Sequence, residues 1–312
     1  MRSMMRTVGP ALVALVLLAG CGSEVEGGDA GGGGGADGGS PAPTVVVSDE
    51  ERDDVDCTPE GLGADEATEF TSVHQVVDGE LGAVCLGEED PSLLAAWDDL
   101  AAITPPGQLT DLALFAGFVH PDADEQGDGA ETTLAFVNAV DDEGTAFQMS
   151  IDLDQLDTDR DQALLTLAHE FSHVFSTAST QMDRSPEAID ACDTYLTRDG
   201  CFLPDSLMAE WVATFWADGQ LDGIDPEVDP SLEAGAELCS TDPSFLGEYA
   251  ASDPEEDFAE TFSAFVFDVE VDAPELQDKL DWMGEQPGLV EFRDRADAAG
   301  LAPLPNAFDG CG

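Results

Sequence analysis

The stretch LLTLAHEFSHVFS, residues 164–176, constrains this chain more than any other. At about 100° per residue, a helix here places Thr166, His169, Glu170 and His173 within one arc of roughly 100°. Leu164, Leu165, Leu167, Ala168, Phe171, Val174 and Phe175 occupy the rest of the circumference. A helix that is apolar on most sides is buried, so its polar stripe has to meet a metal, a cleft or hydrogen-bond partners inside the protein. The stripe reads His-Glu-x-x-His. Two imidazoles four residues apart share one face and can share one metal, and zinc suits them because it takes nitrogen ligands in tetrahedral sites. On that reading His169 and His173 are ligands, and Glu170 is the general base toward a metal-activated water. The competing reading is a core helix with two hydrogen-bonded histidines and an incidental glutamate.

A catalytic zinc takes three protein ligands and keeps one open position. The longer metzincin pattern would need Gly at 176 and His at 179, where this chain has Ser176 and Ser179. His74 and His120 lie upstream with no supporting spacing. The stretch YAASDPEEDFAETF, 249–262, offers carboxylates instead. A helix there puts Glu256 and Glu260 on one face, opposite an apolar stripe of Phe258, Phe262, Phe265, Val266 and Val269. The same residues suit another role: with Asp253 as N-cap and Pro254 in the first turn, Glu256 falls where it would complete a capping box, and Glu260 could be a solvated acid. Glu210, in SLMAEWVATFW, is the rival third ligand, facing away from Met208, Trp211, Val212, Phe215 and Trp216.

HEFSH followed by YAASDPEEDFAETF resembles the gluzincin subgroup that contains the anthrax lethal factor catalytic domain and related bacterial zinc-binding metallopeptidase lipoproteins. The resemblance covers two patches, about 164–176 and 249–262. It implies a zinc metallopeptidase with His169, His173 and Glu256 as ligands. Glu260 would orient a ligand histidine, and Tyr249, upstream of Glu256 in the same block, would donate to the oxyanion. His173 and Glu256 are 83 residues apart, further than the resemblance implies, so an insertion around Cys192–Cys201 is expected.

The N-terminus reads as an export signal over 1–21: Arg2 and Arg6, then ALVALVLL, then LAGC ending at Cys21. That ending is similar to a bacterial lipobox, which implies a lipid on Cys21 and a protein anchored to, not spanning, the cell envelope at the outer membrane or cell surface. Residues 22–56 are Gly-rich and acidic and read as a disordered tether. Seven cysteines less Cys21 leave Cys57, Cys85, Cys192, Cys201, Cys239 and Cys311. An even number in an exported chain suggests three disulfides, although six cysteines allow about 15 pairings. Proximity suggests Cys57–Cys85 and Cys192–Cys201, leaving Cys239–Cys311.

Nine Lys and Arg against 68 Asp and Glu give a formal net charge of −59. No basic stretch exists to meet phosphates, which argues against nucleic acid as a partner. The acids keep the surface hydrated and favour cationic partners. They do not spell an EF-hand loop.

Helices are expected over 91–102, about 159–176, 204–219, 253–268, 274–283 and 287–299. A strand is expected over 111–119, and a hairpin over 132–153. CDTYLTRDGC reads as a disulfide-closed excursion. Strands first and helices afterwards imply an α+β domain over 57–312, mainly strands and one helix over 57–160 and mainly helical over 161–312. With the resemblance, this becomes a zincin-like domain with a small twisted sheet and a monomeric peptidase acting on protein or peptide substrates. TAFQMSIDL is then placed to receive substrate by strand addition. Two rivals stay open: a catalytically silent zinc-binding surface lipoprotein with an adhesion or assembly role, and an acidic cation buffer in which the histidine motif is incidental.

Overall fold

The computed structural model describes residues 57–58, 61–63, 68–120, 133–216, 219–221, 224 and 230–311. The expected export signal, lipid-bearing Cys21 and tether fall on residues 1–56, which lie outside the described residues.

Five strands form a mixed sheet in the order β2-β1-β3-β5-β4. β1 (Glu69–Val77) and β2 (Glu80–Gly87) are an antiparallel hairpin that sequence reading missed. Asp78 and Gly79 turn it with φ of 53° and 76°, the left-handed pair that a two-residue hairpin loop requires. β3 (Leu112–Val119) runs antiparallel to β1 and parallel to β5 (Phe147–Asp152). Its unbroken apolar run fits a central strand covered on both faces. β4 (Ala135–Ala139) pairs antiparallel with β5, so the hairpin expected over 132–153 is present. Its second strand, TAFQMSIDL, is not an edge. β5 is hydrogen-bonded to β3 on one side and to β4 on the other, which leaves no free backbone for an added strand. β4 is the edge.

One sheet face carries Phe70, Val73, Leu114, Ala116, Phe118 and Phe136, covered by Leu62 and tied down by the Cys57–Cys85 disulfide. The other face is continuous with the helical core, in which Val76, Phe115 and Met149 belong to the same buried cluster as Leu167, Phe262 and Phe292. Nine helices occur among the described residues. They are α1 (Pro91–Ile103), α2 (Leu153–Thr158), α3 (Arg160–Ser176), α4 (Pro186–Asp190), α5 (Leu207–Phe215), α6 (Leu232–Cys239), α7 (Pro254–Val266), α8 (Pro274–Glu285) and α9 (Pro287–Ala299). Sheet and helices together make an α+β arrangement. α5 is shorter than the expected 204–219, because Trp216 leaves the helix in an extended conformation and turns its indole inward to Asp257.

Between α3 and α5 the chain makes an excursion containing α4 and a small sheet, β6 (Met182–Asp183), β8 (Gly200–Phe202) and β7 (Leu196–Thr197) in that order. Cys192–Cys201 closes it, and Cys239–Cys311 ties α6 to the C-terminal segment. All three disulfides follow the pairing that proximity suggests. No helix among the described residues is long and apolar enough to cross a membrane.

α3 and α7 pack face to face through aromatic rings. Phe175 lies 5.2 Å from Phe262 and 6.2 Å from Phe258, and Phe292 of α9 lies 5.1 Å from Phe262, centroid to centroid. This contact sets the histidines of one helix against the carboxylates of the other.

Candidate metal centre

α3 starts where the Asp159 carboxylate accepts the N–H groups of Asp161 and Gln162. It ends where Thr177 returns both its N–H and its hydroxyl to the His173 carbonyl, and Arg184 donates to the Thr177 carbonyl at 2.7 Å. Both ends are thus fixed, and His169 and Glu170 are each 2 % exposed between them.

α7 starts at Asp253, whose Oδ1 accepts the Glu255 N–H at 2.7 Å. Glu256 Oε2 faces the histidines. It lies 3.1 Å from His169 Nε2 and 3.6 Å from His173 Nε2, and the two Nε2 atoms are 3.3 Å apart. Glu256 is 2 % exposed, and its Oε2 has no well-directed hydrogen bond.

Three lone-pair atoms therefore converge in the interior, and a triangle of this size fits a metal ion. Ligand atoms at roughly 2.0–2.1 Å from a tetrahedral cation stand about 3.3–3.4 Å from each other. Among the described residues, His169, His173 and Glu256 are the group of donors that could hold a metal ion.

Glu260, one turn further along α7, is 4 % exposed rather than solvated. Its Oε1 stands 3.5 Å from His169 Nδ1 without a well-directed hydrogen bond, and its charge favours the tautomer that presents Nε2 to the cluster. Tyr249 hydrogen-bonds Glu256, and its ring lies 6.2 Å from the His169 ring.

The charges are strongly coupled. Burial alone would lower the His169 pKa, but the carboxylates of Glu256 and Glu260 outweigh it and push it up to about 10. Burial raises Glu256, but the two imidazoles win and hold it at about 2. Glu170 is pushed up to about 7 by burial, against the pull of His169 and His173. Tyr249 rises well above its ordinary value because it is buried and faces Glu256 and Glu170. Near neutral pH this site contains a carboxyl able to take or give a proton and a phenol that keeps its own.

The other candidates lie elsewhere. Glu210 is exposed, and its Oε1 accepts the Trp282 indole N–H at 3.3 Å. His74 Nδ1 is 3.1 Å from the Gly82 carbonyl across the β1–β2 hairpin. His120 Nε2 faces the Thr133 carbonyl at 3.0 Å and Asp152 at 4.0 Å.

Sequence reading missed the partners of two carboxylates, Asp257 on α7 and Asp253 at its cap. Asp257 is fully buried and accepts from Lys279, Trp211 and Trp216, and Asp253 accepts from Tyr195 at 2.9 Å. Lys279 carried a usable signal: a single cation at helical spacing among Leu276, Trp282 and Met283, all of which are buried.

No protein-family model matches the chain, and no curated protein or solved structure matches it either.

Proposed function

We propose that the protein is a zinc-dependent endopeptidase with a zincin-like catalytic domain, related to the gluzincins that its two motifs resemble. We assign it to the outside of the cell, held at the envelope by a lipid on Cys21, acting as a monomer on proteins or peptides. The observation that carries the reading is the buried triangle of His169 Nε2, His173 Nε2 and Glu256 Oε2, with Glu170 beside it on α3.

A zinc ion held by these three groups supplies Lewis acidity, which acidifies water and polarises a carbonyl. The chain's own residues do the rest. Glu170, buried next to His169 on the same helix face, would accept the proton from water and can return it to the leaving amine. Tyr249 stays protonated and can donate to an oxygen on which negative charge develops. Glu260 keeps the His169 ring in one orientation. β4 packs against α3, and Leu134, just before it, clusters with Tyr249.

The test uses the soluble disulfide-bonded chain, residues 22–312, as parent and as Glu170→Gln. The reading expects about one zinc per parent chain and cleavage of a peptide library. Glu170→Gln should keep the zinc and lose about 10²–10⁴-fold in rate. Stoichiometric zinc without any cleavage by the parent would instead mark a silent zinc-binding surface protein, and absence of stoichiometric zinc would remove the metal site altogether.

A further inference from the structure

Within the loop closed by Cys192–Cys201, Tyr195 reaches the helix that carries Glu256. The chain has two tyrosines, and both donate to carboxylates at the start of α7. Tyr249 bonds the ligand Glu256, while the Tyr195 hydroxyl donates to Asp253 Oδ2 at 2.9 Å. Tyr195 is 6 % exposed, and its ring stacks on Phe202 at 5.7 Å with an interplanar angle of 9°. The Phe202 N–H donates to the Tyr195 carbonyl, the Thr194 hydroxyl donates to the Phe202 carbonyl, and Cys192–Cys201 closes the loop around them. A stacked, cross-linked hairpin thus delivers one hydroxyl to a fixed point.

That point is the helix cap. Asp253 uses its two oxygens for two tasks: Oδ1 takes the Glu255 N–H, and Oδ2 takes the Tyr195 hydroxyl. Glu256 sits three residues after the cap, in the first turn of α7. On its other side this turn is pinned through Asp257, which bonds Lys279 and two indoles. The position of Glu256 Oε2 is therefore set from both sides, and a triangle with edges of 3.1–3.6 Å tolerates only small shifts.

We infer that Tyr195 is a positioning residue for the metal centre: through Asp253 it fixes the first turn of α7, so that Glu256 meets His169 and His173 in ligating geometry. The inference rests on the metal-site reading above. It assigns the excursion a part in the site rather than that of a surface ornament.

The experiment measures the zinc dissociation constant of the full disulfide-bonded chain, residues 22–312, by competition with a chromophoric chelator. Denaturant unfolding of the chelated protein is followed alongside. Tyr195→Phe removes one oxygen and keeps the ring stack. Its zinc affinity is expected to fall about three- to tenfold, less than for a direct partner of a ligand. Asp253→Ser still caps the helix but loses the acceptor for Tyr195. In that background Tyr195→Phe should add no further loss of affinity, the signature of a shared interaction.

Equal zinc affinity in the parent and Tyr195→Phe, whatever the change in stability, would overturn the inference and leave the metal site standing. The inference also falls if the Tyr195→Phe loss persists undiminished in the Asp253→Ser background. A parent that binds no stoichiometric zinc would overturn the metal site and this inference together.

Discussion

The Lys279 ammonium lies 2.6 Å from Oδ1 and 2.8 Å from Oδ2 of Asp257, the residue that follows Glu256 on α7. Trp211 and Trp216 also donate to Oδ2, at 3.1 and 3.0 Å, and the Phe245 ring lies 4.1 Å from the ammonium. A buried ion pair survives when every remaining donor and acceptor is occupied, and this one nearly is. It joins α7 to α5 and α8, on the side of the helix turned away from the two histidines.

Removing one partner strands the other charge in the core. Lys279→Met is expected to destabilise the fold by about 3–5 kcal/mol, the usual cost of breaking a buried pair from one side. Replacing both residues with apolar side chains of similar volume should recover much of that loss. Chemical denaturation of the chelated protein measures both. If Lys279→Met unfolds at the parent's denaturant concentration, the pair does not hold the helices together.

Glu260 and Glu210 are two further carboxylates that the sequence offers to the metal centre, and a binding experiment separates them cleanly. Glu260 backs the His169 ring, while Glu210 is exposed beside Trp282. Glu260→Gln is expected to weaken zinc about ten- to a hundredfold, as is usual for a group that orients a ligand histidine. Glu210→Gln should leave the affinity unchanged. Competition against a chelator of known affinity checks both. A loss at Glu210 equal to that at Glu260 would place the metal elsewhere.

Gly235 controls how α6 meets the segment carrying Tyr249. A Cβ at this position would lie 1.6 Å from the Glu248 carbonyl oxygen and 2.8 Å from the Ser252 nitrogen. Backbone cannot move aside as a side chain can, so Gly235→Ala has to displace residues 248–252. A stability loss of about 1–3 kcal/mol is expected, the range for overpacking. Because this segment leads into Asp253, the cap of the helix that carries Glu256, zinc affinity should fall as well, and on the proposed function peptide cleavage with it. Denaturation, chelator competition and a cleavage assay on the one variant give the three numbers.

Much of the fold and site was legible in the sequence, and what was not has identifiable causes. Periodicity and caps placed α1, α3, α7, α8 and α9 within a few residues, because each has a long apolar stripe and a terminal Asp or Pro. The β1–β2 hairpin escaped notice although Asp78-Gly79 announces its turn. Register breaks at Val73/His74 and His74/Val76 spoil the alternation that marks a strand. The position of β5 inside the sheet depends on its parallel pairing with β3, which local pattern does not reveal. Spacing put His169, Glu170 and His173 on one helix face, since a helix makes neighbours of residues four apart. It left Glu256 between two roles, because the first turn of a helix suits a capping glutamate as well as a ligand. Only the packing of α7 on α3 decides where that carboxylate points. The Tyr195–Asp253 and Lys279–Asp257 contacts join residues 58 and 22 positions apart, and no local rule reaches that far.

The charges of the site make its stability depend on pH in a way that bound metal should alter. In chelated protein His169 is raised from 6.5 to about 10, so its contribution is fully present below pH 6.5 and fades as pH rises toward 10. Glu256 is lowered from 4.5 to about 2, so its contribution is present above pH 4.5 and is lost as pH falls toward 2. From this pair of groups the chelated protein gains most between those two windows, at pH 4.5–6.5. Zinc competes with the proton on His169 Nε2, so its binding releases protons and strengthens as pH rises. Melting curves from about pH 4 to 9 should therefore show a Tm that declines above about pH 6.5 in chelator, with zinc restoring more of it the higher the pH. Calorimetry of zinc binding in buffers of different ionisation enthalpy should register the released protons. Binding that neither strengthens with pH nor releases protons would mean that the imidazole facing Glu256 is not a ligand.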